Sequence, residues 1–156
     1  ISTWFGSLYF LLPLTVLLCF MLSWHGNKAQ ALLIGLSFLI TIVSVHVAKI
    51  LIRRPRPLVT ELLVEMPSDW SFPSAHTAQA TAFFLSCTFV AFRMLPPLWA
   101  AMCAFVSLLF VSIVGYSRIY LKVHYVSDVL AGFLWAVIVV IAVRHIVFTL
   151  PLIRNG

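Results

Sequence analysis

The residues able to do chemistry in this chain fall in three short stretches: KILIRRPRP (49–57), PSAH (73–76) and SRIYLKVHYVSD (117–128). Arginines and lysines far outnumber carboxylates in them. Such a group suits a polyanion, and phosphate is the commonest. His124 and Asp128 are four residues apart, so they share a face if a helix begins there. A carboxylate bonded to one imidazole nitrogen fixes the tautomer and leaves the other nitrogen free to attack. A second histidine, His76, could protonate the leaving oxygen. Pro73-Ser74-Ala75-His76 leads into an apolar run. A helix start there would offer free backbone N–H groups and the positive end of its dipole to a phosphate. The chemistry is phosphoryl transfer with no metal or other cofactor, since arginine and lysine neutralise the charge.

These stretches must be positioned by a very apolar chain. Of 156 residues, 63% are hydrophobic and 9% charged, against about 25% charged in a soluble domain, and the mean hydropathy is +1.11. The pattern predicts an all-α, polytopic transmembrane helical bundle, a single domain over 1–156. Five spans are expected, at about 8–24, 31–48, 75–92, 98–116 and 124–150, each near the roughly 20 residues that cross a hydrocarbon core. Open sheets cannot sit in lipid, and the runs lack barrel-like alternation. Residues 49–74 hold Pro55, Pro57, Pro67 and Pro73, too many for one helix. Cys19, Cys87 and Cys103 fall in separate apolar runs, with neither disulfide nor metal spacing.

Alternating the spans across a bilayer gathers Lys49–Pro57, Phe72–His76 and Ser117–Asp128 at one face, with all four acidic residues and six of the ten basic ones. Convergence from separate parts of the sequence implies a site. At the same face, Arg53 and Arg54 read as span-end anchors, and Lys122 as either surface or substrate contact. His46, one turn before Lys49, reads as a helix-packing residue or a support behind the site, and His25 and His145 as turn and interface residues. Trp24, Trp70 and Trp99 fit interfacial positions.

With its three stretches in order and correctly spaced, the sequence resembles the type 2 phosphatidic acid phosphatase superfamily, membrane lipid phosphatases sharing a core with vanadium-dependent haloperoxidases and glucose-6-phosphatase. The matching signatures are Lys49 through Arg56-Pro57, Pro73 to His76, and Ser117-Arg118 with His124 and Asp128. The resemblance implies that His124 attacks phosphorus to form a phosphohistidine, that Asp128 orients it, and that His76 is the acid on the leaving group. It further implies that Lys49, Arg56 and Arg118 clamp phosphate oxygens, with Ser74 and the Ala75 N–H adding hydrogen bonds. Ala75 replaces the usual glycine. The N–H survives, but the methyl requires a negative φ and narrows the pocket, which bears on substrate preference. The family usually has six spans, so a further N-terminal span is expected before Ile1.

The implied partners are a lipid phosphate substrate and membrane lipid, with no nucleic acid and no oligomeric state specified. Undecaprenyl pyrophosphate ranks first on the resemblance. Phosphatidylglycerophosphate, phosphatidate and lipid A 1-phosphate are compatible alternatives. The linker Leu58–Trp70, with Glu61, Glu65 and Asp69, could line a passage for the lipid tail. Setting aside the motif cations, three basic residues remain on the site's side (Arg53, Arg54, Lys122) against four opposite (Lys28, Arg93, Arg144, Arg154). With the resemblance, this places the protein in a bacterial inner membrane, site facing the periplasm or outside. A lipid-to-lipid phosphotransferase would need the same motifs. An anion transporter would need charged groups at mid-depth of the spans, which the sequence lacks.

Overall fold

The computed structural model describes residues 6–58, 64 and 66–149. Five helices follow one another: α1 (Leu8–Trp24), α2 (Lys28–Ile52), α3 (Ala75–Met94), α4 (Pro97–Tyr120) and α5 (Val126–Thr149). Their ends are set by local chemistry. The α1–α2 turn uses Gly26 at φ 78°, where a side chain would be strained. Arg53 closes α2 in the left-handed region at φ 51°, its N–H bonded to the Lys49 carbonyl at 3.1 Å, and Pro55 and Pro57 prevent the helix from resuming. Pro97 opens α4 at its first position, where no N–H is needed.

α3 is the central element, packed against α2, α4 and α5. Its buried face is made of small and hydroxylic residues, among them Thr77, Ala78, Ala80, Thr81, Ala82 and Ser86, which let neighbouring backbones approach closely. The threonine hydroxyls bond locally: Thr81 donates to the Thr77 carbonyl at 2.8 Å, and Thr88 to that of Phe84 at 2.9 Å, while the buried Ser86 Oγ has no partner among the described residues. Trp135 Nε1 donates to Ser44 Oγ at 2.9 Å, tying α5 to α2. Away from the polar end, Leu11, Leu33, Ile34, Phe38, Phe83, Val143 and Val147 form the core.

The outer faces carry exposed Leu, Ile, Val and Phe, as a lipid-facing surface requires. Three helices, α2, α4 and α5, are long and apolar enough to cross a membrane. The five crossings expected are thus met by length and composition in three. α1 is apolar but has 17 residues, and α3 has 20 residues whose small polar side chains face protein.

Close approach of α5 to the start of α3 depends on Gly132. A Cβ there would lie 2.5 Å from the Ser74 carbonyl oxygen, a backbone atom that cannot swing away. Gly132→Ala should therefore destabilise the protein by about 1–3 kcal/mol, the usual range for overpacking, and reduce activity by displacing α5. Gly35→Ala, whose Cβ would meet only Cys19 Sγ at 3.4 Å, should be tolerated. Thermal unfolding of both variants in one detergent checks the contrast.

Candidate active site

The C-terminal ends of α2 and α4, the N-terminal ends of α3 and α5, and the loops joining them meet at one end of the bundle. They enclose a cavity of about 300 Å³ lined by Lys49, Arg56, Asp69, Ala75, His76, Arg118 and His124, with Val64, Pro67, Leu121 and Val123. A larger cavity of about 620 Å³ between α1 and α2 is mainly apolar, with no histidine or carboxylate among its described lining residues, so the smaller one is the candidate site.

The site is built around Asp128, which is wholly buried. It is the third residue of α5, and its Oδ2 accepts the N–H of Tyr125, just before the helix, at 3.0 Å. This is one half of a capping box, and the helix dipole favours the charge there. Ser71 Oγ donates to the same oxygen. Arg54 Nη1 donates to Oδ1 at 2.7 Å and to Ser127 Oγ at 2.8 Å, with its guanidinium over the Tyr125 ring, 4.2 Å from the centroid. The Asp128 carbonyl accepts the Ser74 N–H at 3.0 Å. One residue therefore fastens the 53–74 linker to the starts of both α3 and α5.

His124 is buried beside this carboxylate. It precedes the first residue of α5 by two positions, so it reaches Asp128 across the helix-opening turn and not along one helical face as the spacing predicted. Tyr125 takes the N-terminal cap position, which leaves His124 in the turn. Its Nδ1 lies 3.5 Å from Asp128 Oδ2 and 3.4 Å from Ser71 Oγ, longer than a direct hydrogen bond to the carboxylate. Ser71 lies within reach of both groups, able to donate to Asp128 and accept from the imidazole. With the proton on Nδ1, Nε2 presents its lone pair to Arg56 Nη1 at 3.3 Å. Burial, then the charges of Arg56 and Lys49, hold the imidazole well below its usual pKa range, with Asp128 opposing. His124 is therefore neutral at neutral pH, the form a nucleophile needs.

Three cations face the same cavity. Arg56 Nη1 also donates to the Val123 carbonyl at 2.6 Å, and Lys49 pairs with Asp69 at 2.9 Å. Arg118 is buried and its Nε has no partner among the described residues. The cost of an unsatisfied buried donor suggests that a ligand completes it. Asp69 stays ionised. Partial burial would raise its pKa, but the hydrogen bonds and charges of Lys49 and Arg56 outweigh that and lower it.

Of the residues expected from sequence, Lys49, Arg56, Ala75, His76, Arg118 and His124 are gathered at the cavity, with Asp128 directly behind His124. Ser74 stands apart: it is buried, and its hydroxyl pairs with Thr77 Oγ1 at 3.0 Å instead of lining the cavity. Arg54 is no simple anchor, because it is an Asp128 partner. Arg53 is exposed and caps the Ile50 carbonyl through Nε at 2.9 Å, while Lys122 and His46 are exposed. Val64 and Pro67 do bring the linker to the cavity, whereas Glu61 and Glu65 lie outside the described residues. Sequence reasoning missed Ser71 and the roles of Arg54 and Asp69. For Ser71 the only available signal was its position just before the PSAH stretch.

The family model described as the PAP2 superfamily matches residues 30–151. The chain is 32% identical over 134 residues to an undecaprenyl-diphosphatase of Sulfolobus acidocaldarius, covering 83% of this chain and 60% of that protein. It is 34% identical over 133 residues to phosphatidylglycerophosphatase B of Bacillus subtilis, covering 84% and 64%. It thus spans less than two thirds of the length of both curated relatives. The crystal structure of a transmembrane PAP2-type phosphatidylglycerolphosphate phosphatase from Bacillus subtilis aligns with a TM-score of 0.82 at 32% identity, over 93% of this chain and 72% of that one.

The Arg54–Asp128 pair separates two neighbouring arginines. Arg54 is 35% exposed at its side chain, so its bond to the carboxylate is placed at the low end for charged hydrogen bonds, about 1.5 kcal/mol. If that support acts through Asp128 in the transition state, Arg54→Ala should lower turnover about tenfold, and Arg53→Ala should leave it unchanged. Phosphate release by the two variants, assayed side by side on one lipid phosphate, checks this.

Proposed function

The chain belongs to the PAP2 superfamily, and on that premise we propose that it is an integral-membrane lipid phosphatase working without metal through a phosphohistidine at His124. The observation that carries the reading is the placement of the buried His124, with its Nε2 3.3 Å from Arg56, in a cation-lined cavity that also holds Arg118, whose Nε has no partner among the described residues.

The substrate's phosphate sits among Lys49, Arg56 and Arg118, with the first N–H groups of α3 beside it. Nε2 attacks phosphorus as the P–O bond to the leaving group breaks. The Nδ1 proton stays directed toward Ser71 and Asp128, which stabilise the positive charge that grows on the ring. His76, protonated when the charge of the bound phosphate offsets its burial and the neighbouring cations, gives its proton to the departing oxygen. A water then attacks the phosphohistidine, passes its proton to His76 and releases inorganic phosphate. The guanidinium and ammonium groups meet the charge that spreads over the equatorial oxygens, so the developing transition state is stabilised by donors already in place.

The same reading has all five helices crossing a bacterial inner membrane, with the cavity at its outer face. The preferred substrate is undecaprenyl pyrophosphate, supported by the likeness to the undecaprenyl-diphosphatase. Phosphatidylglycerophosphate is the second choice, supported by the likeness to phosphatidylglycerophosphatase B.

The test is phosphate release from a panel of detergent-dispersed lipid phosphates, with no lipid acceptor added. Release should be fastest from the diphosphate, persist in EDTA because lysine and arginine carry the charge, and fall at least about a thousandfold in His124→Ala. Release that requires Mg²⁺, or survives in His124→Ala within about tenfold, would contradict the mechanism. Phosphorylated acceptor lipid formed when an acceptor is supplied, with no free phosphate released in its absence, would identify a transferase.

A further inference from the structure

Asp69 takes the place that a phosphate would need. Its Oδ2 is 2.9 Å from Lys49 Nζ, and its Oδ1 pairs with Arg56 Nη2. The main chain of the same turn reinforces the contact: Arg56 Nε donates to the Asp69 carbonyl at 2.9 Å, and Lys49 Nζ donates to that of Trp70. Two of the three cations in the cavity are thus engaged by one turn, and Arg118 Nε has no partner among the described residues. The two carboxylates at this end differ in kind. Asp128 is wholly buried and surrounded by donors, whereas the Asp69 side chain is 45% exposed and can withdraw into water when a competing anion arrives.

Competition of this sort depends on charge. Asp69 is tethered, so it faces the clamp at an effective concentration on the order of millimolar and loses little freedom by binding. An arriving phosphodiester carries one negative charge, no more than Asp69, and must surrender its own translational freedom. A phosphomonoester dianion or a terminal diphosphate brings further charge and can also engage Arg118.

We propose that Asp69 is a specificity-determining residue, an internal anion that holds the Lys49–Arg56 clamp against singly charged phosphodiesters and yields it to doubly charged phosphate groups. It rests on the reading of the cavity as a phosphate seat. The device keeps the seat clear of the phosphodiester lipids that surround any such protein in a membrane, by raising the cost of the wrong ligand more than that of the right one.

The experiment measures binding of two soluble probes, methyl phosphate (a dianion above neutral pH) and dimethyl phosphate (a monoanion). The full chain in detergent is titrated calorimetrically, alongside Asp69→Asn and Asp69→Ser. The unaltered protein should bind methyl phosphate and ignore dimethyl phosphate. Both variants should bind methyl phosphate about tenfold more tightly, because the seat no longer has to be vacated. They should also gain measurable dimethyl phosphate binding, so that discrimination shrinks. Equal or weaker methyl phosphate binding in both variants, with lipid phosphate hydrolysis intact in the unaltered protein, would overturn the role of Asp69 alone. No methyl phosphate binding and no hydrolysis by the unaltered protein would overturn the phosphate seat, and this role with it.

Discussion

A carboxylate buried at the end of an apolar bundle is tolerable only if it is surrounded by donors. Asp128 meets that condition by drawing in Arg54, Ser71 and the Tyr125 N–H, with His124 alongside. Its carbonyl holds the Ser74 N–H, which starts α3 against α5, and Gly132 one turn on leaves room for that contact. Through its side chain this one residue holds the proline-rich linker, the start of α5 and His124, and through its carbonyl it holds the start of α3. The long-range order of the site follows from local satisfaction of Asp128.

The site also has a deliberate charge imbalance. Arg54 and Asp128 balance one another behind the histidine. In front of it, among the described residues, stand Lys49, Arg56 and Arg118 against the carboxylate of Asp69. Surplus positive charge, carried by largely buried side chains, attracts an anion of more than one charge. The same cations depress protonation of His124. Binding a phosphate dianion would reverse part of that effect, favouring positive charge on the imidazole just as phosphorus is attacked. In the proposed mechanism, clamp and nucleophile are thus electrostatically coupled.

Much of this was legible in the sequence, because the relevant signals are one-dimensional. Apolar runs bounded by proline, glycine and charge located all five helices to within a few residues, and alternation of direction gathered the three motif stretches at one end. Other features depend on contacts that no spacing reveals. Arg53 and Arg54 are adjacent and chemically identical, yet the left-handed backbone at Arg53 sends one outward and the other onto Asp128, 74 residues away. Ser74 was expected at the phosphate, but helix geometry turns its hydroxyl to Thr77. The enclosure of α3 is a property of its neighbours. Its Ala, Thr and Ser residues look poorly suited to lipid until the other helices are seen to surround it.

The central claim is that phosphate passes through His124. The direct measurement is to mix the protein with a lipid phosphate radiolabelled on its terminal phosphoryl group, quench in alkali within the first turnover, digest, and locate the label. A phosphohistidine is stable to base and labile to acid. The account predicts label that survives alkali, is lost in acid and maps to the peptide containing His124. Rapid turnover with no protein-bound label, or label mapping to His76 or any other residue, would contradict it.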